Sequence, residues 1–269
     1  MNNLKKYCFC VLLAWMICPL SAQIIKSGDT VAFFGDTVVG LAAYGPGFIR
    51  LYSHGMNQNG VKIKTVSSGQ AWITAKTIQA SYDKRVKKRK ATVIFINFGQ
   101  SDVIRKTPFE EYKKAMRNIV KVAKADNMRV ILWTLFPLYE KDSKTIAAYN
   151  KFLFQLGKEE NVPVWDTCTA FLNKIKEMRT AYPAWKGFFL TDGGHLFNQM
   201  GQTVIADFLL KQSGLTEEQI KKSRDARKAM RMSFRIDLEQ KQVLQILDKA
   251  NKSGLSDSEL ISQTVNSIK

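Results

Sequence analysis

Histidine is almost missing from this chain. Its 269 residues contain two, His54 and His195, so any histidine-based general base has to be one of them. Cysteine is nearly as scarce. Of the four, Cys8, Cys10 and Cys18 fall before residue 20, leaving Cys168 alone, and a single thiol has no internal partner for a disulfide. Long apolar runs are missing too: Tyr7 to Leu20 is too short to span a bilayer. That stretch follows Lys5 and Lys6 and precedes Ser21-Ala22, the charged, apolar and small-residue order of an export signal. The expectation is a signal over residues 1–22, cleavage near Ala22, and a mature chain that starts near Gln23 and works in the periplasm or outside the cell. A lipid anchor at Cys18 is the weaker alternative, because Ile17 stands where a small residue is wanted.

Acidic side chains are in short supply. Only 23 Asp and Glu face 41 Lys and Arg, a net charge of +18, which favours anionic partners at long range. For an exported chain the first partners to consider are acidic polysaccharide and the membrane surface; nucleic acid is not expected. The densest basic run, Lys84 to Lys90, has no interleaved aromatic residues and reads as a solvated loop rather than a stacking platform.

What is present is a regular alternation of apolar runs and amphipathic stretches. Val31–Phe34, Val61–Val66, Thr92–Phe98, Val130–Leu135 and Val162–Trp165 read as strands. Gln70–Tyr82, Pro108–Ala125, Ser143–Glu159 and Asn198–Lys211 read as helices. Pro108 suits a first helical turn. Such βα units imply an α/β fold, a three-layer sandwich around a five-stranded parallel sheet. Past Gly214 the chain is charged and helix-prone, so residues 23–213 are expected to form the main domain and 214–269 a helical extension.

The first strand ends in Gly35-Asp36-Thr37, and ligands of open α/β sheets gather at carboxyl ends of strands. Gly28-Asp29-Thr30 precedes the strand and reads as a turn. His195 follows Asp192 by three residues in a glycine-containing loop after the last strand, where a carboxylate can orient an imidazole and stabilise its protonated form. His54 is expected near a helix end, in a surface or capping role. Cys168, just past a strand, reads as a small apolar side chain rather than a nucleophile.

In order, Gly35-Asp36-Thr37, Gly69 in Val66-Ser67-Ser68-Gly69-Gln70, Gly99-Gln100-Ser101-Asp102 and Asp192-Gly193-Gly194-His195 resemble the four sequence blocks of the SGNH (GDSL-type) esterases and acylhydrolases. The resemblance runs from about Ile25 to Leu210. It implies a flavodoxin-like α/β/α sandwich and hydrolysis of esters, often acetyl groups on sugars, without a metal or other cofactor. It makes Thr37 the nucleophile, His195 the general base and Asp192 the residue that orients it. The oxyanion hole would come from the N–H groups of Thr37 and Gly69 and the side chain of Ser101.

Two positions depart from that pattern: the family has serine at Thr37 and asparagine at Ser101. Threonine keeps the hydroxyl but adds a methyl that restricts χ1, and threonine nucleophiles exist. Ser101 is a shorter donor, and loss of one oxyanion donor costs roughly 10²–10³ in rate; Asn97 and Gln100 are candidate substitutes. Gly201 follows His195 by six residues where five is expected. Gly35, Asp36 and Gly69 also fit turn positions of any such sheet, and Thr37, Asp102 and Asn198 fit helix caps. The sequence thus leaves an exported esterase acting on an ester such as an acetylated glycan, an inactive relative that binds a glycan or protein, and a basic scaffold working through its tail.

Overall fold

The structure is a computed structural model that describes residues 24–42, 47–136, 143–184, 188–192, 196–227, 240–256, 259–260 and 263. The export segment, including Ala22 and Gln23, lies outside the described residues. Five strands, β1 (Thr30–Gly35), β2 (Lys64–Ser67), β3 (Val93–Asn97), β4 (Arg129–Trp133) and β5 (Val164–Trp165), form one sheet in the order β2-β1-β3-β4-β5. Every pairing is parallel. This is the flavodoxin-like order, with a switch point between β1 and β3.

Alternation along the strands divides the core in two. Val31, Phe33, Val93, Phe95, Ile131 and Trp133 point to one face, and Ala32, Phe34, Ile94, Ile96, Val130 and Leu132 to the other, as the two-residue period of a strand requires. Because both sides are covered, the central strands are apolar over Val31–Phe34, Val93–Ile96 and Val130–Trp133. The first face is covered by α1 (Thr37–Leu41), α2 (Phe48–Gln58), α8 (Thr167–Ala181) and α9 (Gln199–Gln212). Its centre is aromatic: Phe33 stacks on Phe95 at 4.8 Å, and Phe48 meets Trp133 edge-on at 5.4 Å. The second face carries α3 (Ala75–Ile78), α4 (Tyr82–Arg85), α6 (Phe109–Ala125) and α7 (Ser143–Glu160). A short helix, α5 (Gln100–Ile104), follows β3 directly.

Several elements differ from the sequence reading. The expected helix over Gln70–Tyr82 begins only at Ala75, where Thr74 caps it, because Trp72 just before it is in the left-handed region at φ 61. The basic run is not a plain loop: α4 and a 3₁₀ turn at Lys87–Arg89 flank buried Val86. Pro108 is the residue before α6 rather than in its first turn. Helix α8 was not expected; Asp166 starts it by accepting the Thr169 N–H. Gly28 does turn, but Asp29 is buried and ion-paired with Arg129, so it ties β1 to β4 as well.

The sequence reading starts a helical extension at residue 214. The chain divides into Met1–Met232 and Ser233–Lys269, and α10 (Glu217–Arg227) belongs to the first unit. It is held there by Asp207 of α9, whose carboxylate pairs with Arg224 at 2.6 Å and with buried Arg227 at 2.5 Å. The second unit contains α11 (Gln240–Ser253), which exposes Leu244 and Leu247. Replacing Asp207 by alanine would leave Arg227 charged and buried, so Asp207→Ala should cost about 3–5 kcal/mol in urea unfolding, well above the ~1 kcal/mol of an exposed pair such as Lys76–Glu111.

Candidate active site

At the carboxyl end of β1, Asp36 turns the chain into α1. Its carboxylate accepts the Val38 N–H at 3.3 Å as the N-cap, and its Oδ2 also accepts the N–H groups of Gly99 at 3.2 Å and Ser101 at 2.9 Å. One side chain thus fastens the end of β1 to the turn after β3. Asp36 is fully buried, and burial is the main reason its carboxyl is pushed up to about 7; nearby Asp102 adds to the rise, and the three N–H groups oppose it.

Thr37, the first residue of α1, is 7% exposed. Its Oγ1 lies 3.2 Å from the Ser101 Oγ and accepts the Trp72 backbone N–H at 2.8 Å. Two partners therefore orient the hydroxyl before any base acts on it. Trp72 is held in its left-handed conformation in part by Arg105, whose guanidinium donates to the Trp72 carbonyl at 3.1 Å. Trp72 itself is 48% exposed. Neither Trp72 nor Arg105 was singled out in the sequence, because a backbone donor leaves no mark on residue type.

Gly69 is brought against α1. A Cβ there would lie 2.4 Å from the Gly40 N and 2.8 Å from Val39, so only glycine allows this approach. Ser101 and Asp102 are both buried in α5. Asp102 does not cap its own helix; its Oδ2 accepts the N–H of Ala75, the first residue of α3, at 3.1 Å. Burial pushes the Asp102 carboxyl up to about 6. Of the substitutes considered for the short Ser101 donor, Asn97 directs its amide to the Trp133 carbonyl. Gln100 is 2% exposed, and among the described residues neither atom of its amide has a partner.

Asp192 follows buried Leu190 by two residues. Its N–H donates to the Leu196 carbonyl at 3.0 Å, and the Leu196 N–H donates to the Asp192 Oδ1 at 3.4 Å. Thr191 and Phe197 form an isolated antiparallel bridge. His195, with Gly193 and Gly194, lies outside the described residues. Beyond it, Asn198 caps α9 through the Gly201 N–H at 3.0 Å and donates to the carbonyls of Phe189 and Thr191. A Cβ at Gly201 would sit 2.1 Å from the Leu190 carbonyl oxygen, which accounts for glycine at this shifted position.

The remaining candidates sort differently. His54 lies within α2 and is half-buried, and among the described residues its buried Nε2 has no partner. Burial is the main cause that pushes the Cys168 thiol up to about 11, so it stays protonated and unreactive at neutral pH. Among the described residues no group of three His, Cys, Asp or Glu is placed to hold a metal ion.

Comparison with known proteins gives a consistent picture. The sequence model of the family described as OSK domain matches residues 50–186, just over half of the chain, a stretch that leaves out Thr37, Asp192 and His195. An acetylxylan esterase from Geobacillus stearothermophilus is 26% identical over 200 residues, 64% of this chain and 91% of that protein. Its crystal structure aligns with a TM-score of 0.60 at 23% identity, covering 71% of this chain and 97% of that one. Structures of that esterase include catalytic mutants with a serine or a histidine replaced by alanine. An α/β hydrolase from the metagenome of Lake Arreo, Spain, aligns with a TM-score of 0.61 at 18% identity, over 71% of this chain and 98% of that one.

The raised carboxyls predict a pH dependence of stability. The unfolded chain releases the protons of Asp36 and Asp102 near pH 3.8, whereas the folded protein keeps them to about pH 7 and 6, so stability falls as pH rises through that window. Urea midpoints measured from pH 4 to 7 should show this decline, and Asp36→Asn should flatten most of it. The four-block resemblance, the matched family model and the shared flavodoxin-like sheet together establish that the chain belongs to the OSK-domain family, within the SGNH (GDSL-type) esterases and acylhydrolases.

Proposed function

We propose that the chain is a carboxylic-ester hydrolase that removes acetyl groups from carbohydrate, with Thr37 as nucleophile, His195 as general base and Asp192 as the residue that orients the imidazole. The observation that carries this reading is the meeting of Thr37 and Ser101 at 3.2 Å across 64 residues of sequence. It joins the first and third blocks over the carboxyl edge of the sheet. The carbohydrate comes from the acetylxylan esterase that this chain resembles at 26% identity, and activity outside the cytoplasm from the signal-like first residues.

In this reading the Thr37 Oγ1 attacks the acetyl carbonyl as His195 takes its proton. Negative charge develops on the carbonyl oxygen, where the N–H groups of Thr37 and Gly69 and the Ser101 hydroxyl stabilise it. The protonated imidazole then gives its proton to the departing sugar oxygen, and the acetyl group stays on Thr37. Water, activated by the same imidazole, releases acetate and restores the hydroxyl. The Trp72 N–H holds the hydroxyl in one orientation, while the threonine methyl crowds the carbonyl's approach.

Hydrolysis of p-nitrophenyl acetate by the wild type, Thr37→Ala and His195→Ala tests the assignment. Both variants should fall to the buffer rate; equal rates from all three proteins would refute the enzyme reading and leave a binding role. A further expectation concerns the two departures from the family pattern. Thr37→Ser combined with Ser101→Asn should raise kcat by about 10²-fold, because a longer oxyanion donor is restored and the methyl removed.

A further inference from the structure

On the second face of the sheet, α3 and α6 bound a groove of about 830 Å³ whose wall includes Lys76, Gln79, Lys114, Arg117, Asn118 and Lys121. Two of its cations are neutralised: Lys76 pairs with Glu111 at 2.7 Å and Arg117 with Glu159 at 3.2 Å. Among the described residues Lys114 and Lys121 take part in no ion pair. They are exposed and seven residues apart on α6, which places them about 10 Å apart along one helix face. Between them Asn118 donates to the Gln79 side-chain carbonyl at 2.6 Å, so amides line the stretch from one free charge to the next.

Gln79 and Asn118 also line a neighbouring hollow of about 310 Å³, whose wall carries Asp83, Asp126 and Lys87, the last paired with Asp126 at 2.7 Å, so the free cations available to a polyanion are those of the larger groove. Toward the candidate site, Lys76 lies four residues beyond Trp72, and α3 is anchored by its first N–H to Asp102.

We propose that this groove holds an acidic glycan, with Lys114 and Lys121 pairing with carboxylates along the chain and the amides of Gln79 and Asn118 meeting sugar hydroxyls. The proposal rests on the hydrolase reading in taking the polymer to be carbohydrate, and adds that it is acidic. Spaced cations in a concave channel suit a linear polyanion. A membrane surface would call for apolar side chains able to insert, and nucleic acid for aromatic rings on which bases stack; the wall of the larger groove has no aromatic residue.

The test is direct binding of the full chain to polygalacturonate, with neutral xylan and phosphatidylglycerol vesicles as the other probes. Binding to polygalacturonate should exceed binding to xylan and weaken with salt. It should fall about tenfold in Lys114→Glu/Lys121→Glu but no more than about twofold in Lys221→Glu/Lys222→Glu, which makes the same charge change on exposed positions of α10. Equal losses in the two variants would overturn the proposal in favour of net charge acting at a distance. Absence of polygalacturonate binding would overturn it, as would vesicle binding that is tighter and lost with the groove lysines. Hydrolysis of p-nitrophenyl acetate should be the same in both variants. Because binding does not need Thr37, an inactive protein that binds the polymer refutes the hydrolase reading alone, and an active one that does not bind refutes the groove alone.

Discussion

A single buried carboxylate organises the candidate site. Asp36 receives N–H groups from the start of α1 and from the turn that follows β3, just past the point where its own N–H closes the β1–β3 ladder on the Asn97 carbonyl. Leaving such donors without an acceptor inside the protein would cost about 1–3 kcal/mol each, so the turn after β3 has little freedom to move away from Thr37. The 3.2 Å contact between the Thr37 and Ser101 hydroxyls follows from that clasp. The carboxyl itself is disfavoured as an anion by burial, so the device that aligns the site also makes it sensitive to pH.

The sheet was largely legible in the sequence because its central strands are buried on both faces. Val31 to Phe34 and Val93 to Ile96 are continuous apolar segments, and helical patterns between them leave few topologies. The helices that went astray did so for local reasons. Gln70–Tyr82 has a helical pattern that left-handed Trp72 interrupts. α8 opens with Thr167-Cys168-Thr169, residues of poor helix propensity, and depends on the Asp166 cap and on packing of Phe171 against Phe136 and Phe197.

Side chains of the site were legible in so far as they occur in ordered blocks, and the structure joins Thr37 to Ser101. Contacts made through the backbone were not. The Trp72 N–H on Thr37 and the Arg105 hold on the Trp72 carbonyl depend on φ and on a bond that any residue type can supply. Asp102 looked like a cap for its own helix, yet it accepts the first N–H of α3, because spatial adjacency of two short helices is set by the sheet and not by the spacing of residues along the chain.

The ends of the sheet have a consequence of their own. β5 contributes two residues, and β2, at the opposite margin, contributes four and exposes Lys64. A strand of another molecule arriving at one border would find too few free amides to zip against, and at the other an ammonium group in its path. The parallel sheet therefore stops at five strands, and self-assembly through its rims is discouraged despite an interior rich in β-forming residues.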